Sequence, residues 1–333
     1  MAYKIEIINT DEKDRLINEL GDRFTYGLKA DINGVCIKLN TDVEDWKEEW
    51  QENWHPMPKS VHSHGRLFVT NLGGKEIVKY DPLSKTTFIF DTDYYGYVKS
   101  VALAVAGDLL EDNHNVFSVH GACLDIDGKG VSIIAPSGTG KTTTSYGLMR
   151  LPKVRLVSDD WHFLKFYGDS VVASNSEMNS YIRADIAEVW HEYDTIVKDA
   201  RFDNRERAIV DVRRIVGKGN VRDSVTLAHV ILLKRDNKDK NVVKKMEPKE
   251  ALNYIIQTEY CNPHLLVHDA RKKRIREQAY LDLFTYTDVY MVNTITTPED
   301  SFNRVRKLLG IPESLKPRVL GEAGAIHRIK SSW

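Results

Sequence analysis

A short glycine-rich loop is the segment of this chain whose residue types and spacing point most directly to chemistry. It reads A-P-S-G-T-G-K-T over Ala135–Thr142 and follows the apolar, strand-like run Val131–Ile134. Gly138 and Gly140 permit backbone conformations that other residues avoid, so successive N–H groups can turn inward around an anion. The helix expected after the loop points its positive end at the same anion. The sequence therefore predicts a phosphate-binding loop of the P-loop type.

The end of the loop carries the groups that a nucleoside triphosphate and its metal require. Lys141 can neutralise the β- and γ-phosphates, and the Thr142 hydroxyl can complete the shell of Mg²⁺. A glycine-rich turn with an incidental lysine is the alternative, and Ala135 stands where the commonest pattern has glycine. The strand before the loop and the helix after it favour a site for ATP with Mg²⁺. The predicted nucleotide-binding residues are Ala135, Pro136, Ser137, Gly138, Thr139, Gly140, Lys141, Thr142 and Thr143.

Two adjacent carboxylates, Asp159 and Asp160, close the next strand-like run, R-L-V-S. Ligands of open α/β sheets gather at the carboxyl ends of strands, where both this pair and the loop are expected. One of the two carboxylates can hold Mg²⁺ or its water, while the other takes a proton from an attacking hydroxyl. The alternative is one metal-binding aspartate beside a solvent-facing or capping one.

Residues outside the loop and the aspartate pair help to distinguish between classes of nucleotide-binding enzyme. His120, one strand before the loop, can orient or relay a proton near the aspartate pair, although a lone histidine is more often structural. A switch GTPase would carry D-x-x-G after the loop and N-K-x-D at a later strand end. The D-x-x-G of this chain, Asp127–Gly130, precedes the loop, and Lys234–Asp236 lacks the asparagine. The sequence therefore argues against a switch GTPase.

This order of motifs resembles the catalytic domain of HPr kinase/phosphorylase and, more distantly, the nucleotide domain of ATP-dependent phosphoenolpyruvate carboxykinase. The resemblance covers Phe117–Trp161, where a His-Gly pair, an Asp-x-x-Gly turn, the P-loop and the Asp-Asp pair follow at short separations. It implies a serine kinase that uses ATP and Mg²⁺. Lys141 and Thr142 would hold the phosphates and the metal, Asp160 would be the proton acceptor, and His120 would assist.

The resemblance also implies a glutamate that serves the metal, and Glu177 is the candidate by position. Arg183, Arg205 and Arg207 are candidates for contact with the transferred phosphate, but each fits a solvated or ion-paired arginine better. The chain departs from HPr kinase in reading G-K-T-T at the loop and in lacking an E-x-R-G-x-G signature. The resemblance therefore does not extend to HPr as the acceptor or to the reverse, phosphorolytic reaction.

Three functions stay open from the sequence. The motif order favours a kinase for a seryl hydroxyl of a protein or peptide. A small-molecule kinase of the same fold is the second candidate, and a non-catalytic module whose surface is ordered by ATP is the third. The resemblance further implies a homo-oligomer.

The expected fold class is α/β with a mixed sheet, of the HPr kinase and carboxykinase type. We expect a β-rich N-terminal module at 1–94, a P-loop catalytic domain at 95–310 and a loosely structured arm at 311–333. In the module, Trp46, Trp50 and Trp54 recur at helical spacing and are expected to pack on its own sheet rather than on a partner. Farther on, the segment N-V-V-K-K-M-E-P is expected to form a hairpin with the strand-like L-A-H-V-I-L-L-K-R.

The composition of the chain restricts its possible partners and its location in the cell. The chain has 333 residues, with 47 Lys and Arg against 48 Asp and Glu, so no overall positive field attracts nucleic acid. Two basic stretches, 232–245 and 269–278, are interleaved with acidic residues and favour solvated surfaces. The apolar run Val98–Ala106 is too short to cross a bilayer, and the absence of a secretory pattern predicts a cytoplasmic protein. The widely spaced Cys36, Cys123 and Cys261 are expected to be small buried residues, not a disulfide or zinc framework.

Overall fold

The computed structural model describes residues 4–211, 213 and 217–318, so most of the expected C-terminal arm, 311–333, lies outside the described residues. The strands are β1 (Ile5–Ile7), β2 (Tyr26–Ile32), β3 (Val35–Thr41), β4 (His55–Pro56), β5 (Gly65–Thr70), β6 (Ile77–Asp81), β7 (Thr86–Phe90), β8 (Val116–Ile126), β9 (Lys129–Ile134), β10 (Val154–Ser158), β11 (Trp161–Tyr167), β12 (Ser170–Ser174), β13 (Asn179–Arg183), β14 (Arg201–Phe202), β15 (Arg207–Asp211), β16 (Ser224–Lys234), β17 (Val243–Lys245) and β18 (Asp288–Asn293). The helices are α1 (Thr10–Leu20), α2 (Glu44–Asn53), α3 (Tyr95–His114), α4 (Lys141–Met149), α5 (Ile186–Val189), α6 (Asp194–Asp199), α7 (Pro248–Gln257), α8 (Ala270–Tyr286) and α9 (Pro298–Leu308).

The N-terminal part forms a mixed sheet in the order β1-β6-β7-β5-β3-β2-β4. Strand-like runs in the sequence predicted β1, β3, β5 and β7 but not β2, β4 or β6. The helix α1 was not expected there; it begins after Asn9, whose side chain accepts a hydrogen bond from the Glu12 N–H. The three tryptophans of the helical stripe are buried, with exposures of 6% for Trp46 and 1% each for Trp50 and Trp54. They share one core with this sheet and with α3, so their expected packing is confirmed.

The phosphate loop follows β9, a strand of the second large sheet. Its order is β10-β8-β11-β12-β16-β18-β17, and β9 pairs with both β8 and β16. Strands β9, β16 and β18 are parallel, with Ile134 opposite Leu232. Because β10 and β9 are both antiparallel to β8, they run in the same direction and end at the same edge. The expected mixed α/β class is confirmed, and the loop and the aspartate pair lie at one edge.

One strand pairing was predicted wrongly. The segment N-V-V-K-K-M-E-P does contain a strand, β17, but β17 pairs antiparallel with β18, with Val243 opposite Val292. The expected partner β16 has its edges occupied, since β9 and β18 flank its C-terminal half and β12 pairs with its start. The charged turn after β16 therefore carries the chain to the outer edge of β18.

The three cysteines are buried, as their wide spacing in the sequence predicts, and all three are free thiols. No helix among the described residues is long and apolar enough to cross a bilayer.

A buried ionic cluster ties α3 to α8. Glu111 receives hydrogen bonds from the guanidinium of Arg276 at 2.9 Å and from Lys272 Nζ at 3.0 Å. All three side chains are almost fully buried, with side-chain exposures of 2%, 6% and 1%. Removing one member of such a cluster leaves buried charge without compensation. The cluster therefore holds α3 in place against α8.

We predict that Glu111→Gln lowers the free energy of unfolding by about 3 kcal/mol, because the buried Arg276 loses its carboxylate partner, whereas Lys272 keeps Asp108 and Asp112. Denaturant unfolding monitored by circular dichroism measures this loss. The control is Asp185→Asn, which breaks an exposed pair with Arg183 and should change stability by less than about 0.5 kcal/mol. Equal effects of the two substitutions would contradict the prediction.

Candidate active site

The phosphate loop has the backbone that its sequence predicts. Gly138 and Gly140 adopt φ values of 78° and 96°, which favour glycine. Gly140 is the N-cap of α4 and supplies no side-chain cap, so the N–H groups of the first helical turn are directed at the loop. The loop is braced from within, because Thr139 Oγ1 donates to the Pro136 carbonyl at 2.7 Å. It is also braced from outside, since Thr294 Oγ1 donates to the Thr139 carbonyl at 2.8 Å.

The residues of the phosphate loop differ from one another in their exposure to solvent. Ala135 is buried, and Ser137 and Gly138 are exposed. The carbonyl of Thr143 accepts a hydrogen bond from the indole of Trp190 at 2.9 Å, which ties the first turn of α4 to the chain after α5. This contact gives Thr143 a structural role.

Lys141 and the second carboxylate of the pair are in direct contact. Lys141 Nζ donates to Asp160 Oδ1 at 2.5 Å, and His120 Nε2 lies 3.2 Å from the same oxygen. Lys141 Nζ and His120 Nε2 are 3.4 Å apart. The three residues that the sequence assigned to catalysis therefore meet at one point. The Asp160 side chain is 41% exposed, and its second oxygen, Oδ2, lies 3.8 Å from Lys99 Nζ.

The charges around Asp160 control its protonation. Burial raises the pKa of this carboxyl, but Lys141, His120 and Lys99 outweigh burial and hold the pKa well below its ordinary value. Asp160 is thus a firmly ionised carboxylate in this structure. Its attraction to a proton is weak for as long as Lys141 stays beside it.

Strand β8 pairs with β11 up to His120 and with β9 from Gly121 onward, so His120 lies where the neighbouring strand changes. His120 lies opposite Trp161 of β11, and the next residue, Gly121, lies opposite Ile134 at the end of β9. A Cβ on Gly121 would lie 2.8 Å from the Ile133 carbonyl oxygen, so only glycine allows this close approach. The Gly121 N–H also donates to the Asp160 carbonyl at 2.9 Å. The His-Gly pair thus brings the histidine, the loop and the aspartate together.

A buried lysine joins the site and was missed by the sequence analysis. Lys99 of α3 is 4% exposed, and its Nζ lies 2.8 Å from Glu177 Oε1 and 3.8 Å from Asp160 Oδ2. It also lies over the Tyr181 ring at 5.0 Å. Burial acts to lower the pKa of Lys99, but the negative charges of Glu177 and Asp160 outweigh burial and raise the pKa above its ordinary value. Lys99 is therefore charged. Its one signal in the sequence was a lysine within the mostly apolar run Val98–Ala106.

Asp159 and Glu177 face the same cavity, which measures about 60 Å³. Burial and the nearby charges of Asp160 and Glu177 raise the pKa of Asp159 to about 7. Tyr146 OH donates to Asp159 Oδ2 at 3.4 Å. Burial also raises the pKa of Glu177, despite Lys99. Glu177 Oε1 accepts from the Asn53 amide at 3.4 Å, whereas the buried Glu177 Oε2 has no hydrogen-bond partner.

The three candidate arginines are engaged with carboxylates. Arg183 pairs with Asp185 at 3.1 Å, Arg205 with Asp93 at 3.8 Å, and Arg207 with Asp203 at 3.0 Å. These contacts correspond to the ion-paired alternative, and their role on a phosphate stays a prediction.

A different arginine lies beside the loop. Arg235 follows β16 and its Nε donates to Thr294 Oγ1 at 3.4 Å. Its Nη2 is 3.8 Å from the position that a Cβ on Gly140 would take. Arg235 gives no signal in the sequence, because its proximity to the loop depends on the parallel pairing of β9 with β16.

No protein-family model matches the chain. Among curated proteins, the chain is 34% identical over 113 residues to the ATP-dependent phosphoenolpyruvate carboxykinase of Aeropyrum pernix. The match covers 31% of this chain and 22% of that protein, so the chain spans about a fifth of its relative's length. Among solved structures, the HPr(Ser) kinase/phosphatase of Coxiella burnetii aligns with a TM-score of 0.33 and 16% identity, covering 59% of this chain and 99% of that one. These two proteins belong to the families that the motif order resembles.

Beneath the site, His162 is fully buried and held neutral. Its Nδ1 donates to the Gly121 carbonyl at 3.0 Å, and its Nε2 lies 3.1 Å from Ser132 Oγ. Burial lowers the pKa of His162 to about 4, from an ordinary value of 6.5. Below pH 6.5 the unfolded chain takes up a proton at this position that the folded protein does not, so the stability falls until about pH 4.

We predict that His162→Gln removes about 2 kcal/mol of the stability lost between pH 7 and pH 5, because a neutral amide binds no proton. Urea unfolding of both proteins at pH 7 and pH 5 gives the change in the free energy of unfolding between the two pH values for each protein. The packing cost of the substitution is the same at both pH values, so it cancels when these two changes are compared. An identical pH dependence for the two proteins would contradict the prediction.

Proposed function

We propose that the protein is a kinase that binds Mg-ATP at Ala135–Thr143 and transfers the γ-phosphoryl group to a hydroxyl, with Asp160 as the proton acceptor. The observation that carries this proposal is the meeting of Lys141, Asp160 and His120 at the mouth of the phosphate loop, within 3.4 Å of one another. A phosphate-binding lysine beside an ionised carboxylate suits transfer to a hydroxyl. The partial similarity to an ATP-dependent carboxykinase supports ATP as the nucleotide.

The charge of Lys141 links nucleotide binding to the strength of the base. In the structure described, Lys141 keeps the pKa of Asp160 low. When Lys141 engages phosphate oxygens, Asp160 loses its nearest cation and becomes a better proton acceptor. His120 and Lys99 remain beside it and hold the carboxylate in place. The base is thus strengthened when the phosphoryl donor is bound.

The transfer itself is a single displacement. The acceptor oxygen forms a bond to the γ-phosphorus while the bond from that phosphorus to the β,γ-bridging oxygen breaks, and ADP leaves with the bonding electrons. The hydroxyl proton passes to Asp160. From there it can move through His120 Nε2, which is 3.2 Å away. Positioning and neutralisation of charge supply most of the rate acceleration, since no covalent enzyme intermediate forms.

The chemistry of two carboxylates at the site, Asp159 and Glu177, suits Mg²⁺. Glu177 Oε2 is a buried carboxylate oxygen without a partner, and the carboxyl of Asp159 has a raised pKa. A cation in their shared cavity would satisfy both, and oxygen ligands are those that Mg²⁺ prefers. Asp159 and Glu177 line this cavity and would hold the ion, and we propose the Thr142 hydroxyl, which is not part of the lining, as a further ligand. Bound there, Mg²⁺ would supply neutralisation of the phosphate charge.

The acceptor that we propose is a seryl hydroxyl of a protein or peptide, because the order of the motifs resembles that of a serine kinase. We further propose that 1–94 is a β-rich N-terminal module, that 95–310 is the catalytic domain, that 311–333 is a C-terminal arm, and that the protein forms a homo-oligomer and works in the cytoplasm. The arginines 183, 205 and 207 are retained as candidates for contact with phosphate on the acceptor side.

We predict that Asp160→Asn lowers the rate of phosphoryl transfer by about 10²–10⁴-fold while Mg-ATP still binds, because only the proton acceptor is lost. Lys141→Ala should instead abolish tight binding of Mg-ATP. Transfer is measured with γ-labelled ATP and purified protein in desalted and undesalted extracts of the source cells, separated by mass. Calorimetry measures the affinity for nucleotide.

The control for this test is Asp127→Asn, which removes an exposed carboxylate paired with Lys153 and should leave transfer unchanged. Label on a polypeptide supports the seryl kinase, and label only in the low-mass fraction means a small-molecule kinase. Tight binding of ATP without any transfer would leave the nucleotide-ordered module. Unchanged transfer by Asp160→Asn would remove Asp160 as the base.

We predict that Asp159→Asn raises the Mg²⁺ concentration at half-maximal transfer by about tenfold or more, because the metal loses one charged ligand. The measurement is a Mg²⁺ titration of the labelled transfer at fixed ATP. Binding of ATP measured in EDTA should be the same for the variant and the unaltered protein. A half-maximal Mg²⁺ concentration that does not change would show that Asp159 does not serve the metal.

A further inference from the structure

A left-handed turn lies directly behind the site. Glu259, Tyr260 and Cys261 have φ values of 50°, 58° and 52°. None of them is glycine, and three successive residues of this kind in the left-handed region are strongly disfavoured. Such backbone persists only where the surroundings over-determine it, and it is concentrated at functional sites.

The turn is held from several sides. It follows α7, and the Cys261 N–H donates to the Thr258 carbonyl at 2.9 Å, while the Asn262 N–H donates to the Glu259 carbonyl at 3.1 Å. The Tyr260 ring stacks on Tyr280 of α8, with centroids 5.6 Å apart. Cys261 and Asn262 are buried, with exposures of 6% and 4%. The conformation is therefore fixed by packing as well as by hydrogen bonds.

The turn delivers one backbone oxygen to the site. The Cys261 carbonyl lies 2.7 Å from His120 Nδ1. A carbonyl can only accept, so Nδ1 carries the hydrogen and the ring is oriented with Nε2 on the opposite side. There Nε2 lies 3.2 Å from Asp160 Oδ1. The rings of Trp161 and His264, centred 6.0 Å and 5.9 Å from that of His120, enclose the imidazole.

We propose that the left-handed turn Glu259–Cys261 is a positioning element for the transfer reaction, which holds the Cys261 carbonyl on His120 Nδ1 and so presents Nε2 to Asp160. This inference rests on the proposed kinase function. No side chain of the turn touches the reacting groups in this scheme, since its contribution is made through a main-chain oxygen. A relaxed turn would withdraw that oxygen and allow the imidazole to rotate.

The test compares Tyr260→Gly with Tyr260→Val. Both substitutions remove the ring that stacks on Tyr280, but glycine adopts a φ near 58° freely, whereas a β-branched residue resists it. The initial rate of label transfer from γ-labelled ATP in the desalted extract is measured over a range of ATP concentrations. We expect Tyr260→Val to have a maximal rate at least tenfold below that of Tyr260→Gly, with KM for ATP within twofold.

A second measurement does not depend on activity. In ¹⁵N-histidine spectra, the Nδ1–H of His120, assigned by its loss in His120→Gln, should exchange slowly in the unaltered protein and in Tyr260→Gly. It should exchange rapidly in Tyr260→Val. If Tyr260→Val does not fold, Tyr260→Ala takes its place, with a smaller loss expected in both measurements.

Equal maximal rates together with equally slow exchange in the glycine and valine variants would overturn the inference. An unaltered protein that transfers no label in any extract would overturn the proposed kinase function instead. In that case the exchange measurement alone decides whether the turn fixes the orientation of His120.

Discussion

The balance of charge between three carboxylates and two lysines is the constraint on which the rest of this site depends. Asp160 and Glu177 lie close enough to Asp159 to raise its pKa, and Asp160 also raises the pKa of Glu177. Such carboxylates repel each other unless cations separate them. Lys141 and Lys99 provide those cations, at 2.5 Å from Asp160 and 2.8 Å from Glu177. The fold must therefore bring two lysines from separate elements to one small region.

The architecture meets this requirement through the geometry of the sheet and of one long helix. Strands β9 and β10 run in the same direction on either side of β8, so the loop with Lys141 and the aspartate pair emerge at one edge. Helix α3 carries Lys99 to the same edge, and the Glu111 cluster anchors α3 to α8. Because α3 also packs in the core of the N-terminal sheet, that sheet supports the position of Lys99.

Only part of this arrangement could be predicted from the sequence. The loop and the Asp-Asp pair were predictable because each is a local pattern of residue types next to an apolar strand. Lys99 and the Cys261 carbonyl were not, since their proximity to Asp160 and His120 depends on contacts between distant segments. A backbone oxygen also leaves no trace in residue type. The wrong partner for β17 has the same origin, because the sequence does not show that both edges of β16 are occupied.

A crystal structure of the protein with Mg²⁺ and a non-hydrolysable ATP analogue would show whether nucleotide binding moves Lys141 away from Asp160. We predict that Lys141 Nζ leaves Asp160 for an oxygen of the β- or γ-phosphate, while His120 and Lys99 stay beside the Asp160 carboxylate. An analogue bound at the loop with the contact between Lys141 and Asp160 unchanged, or bound elsewhere in the protein, would contradict the proposed role of Lys141.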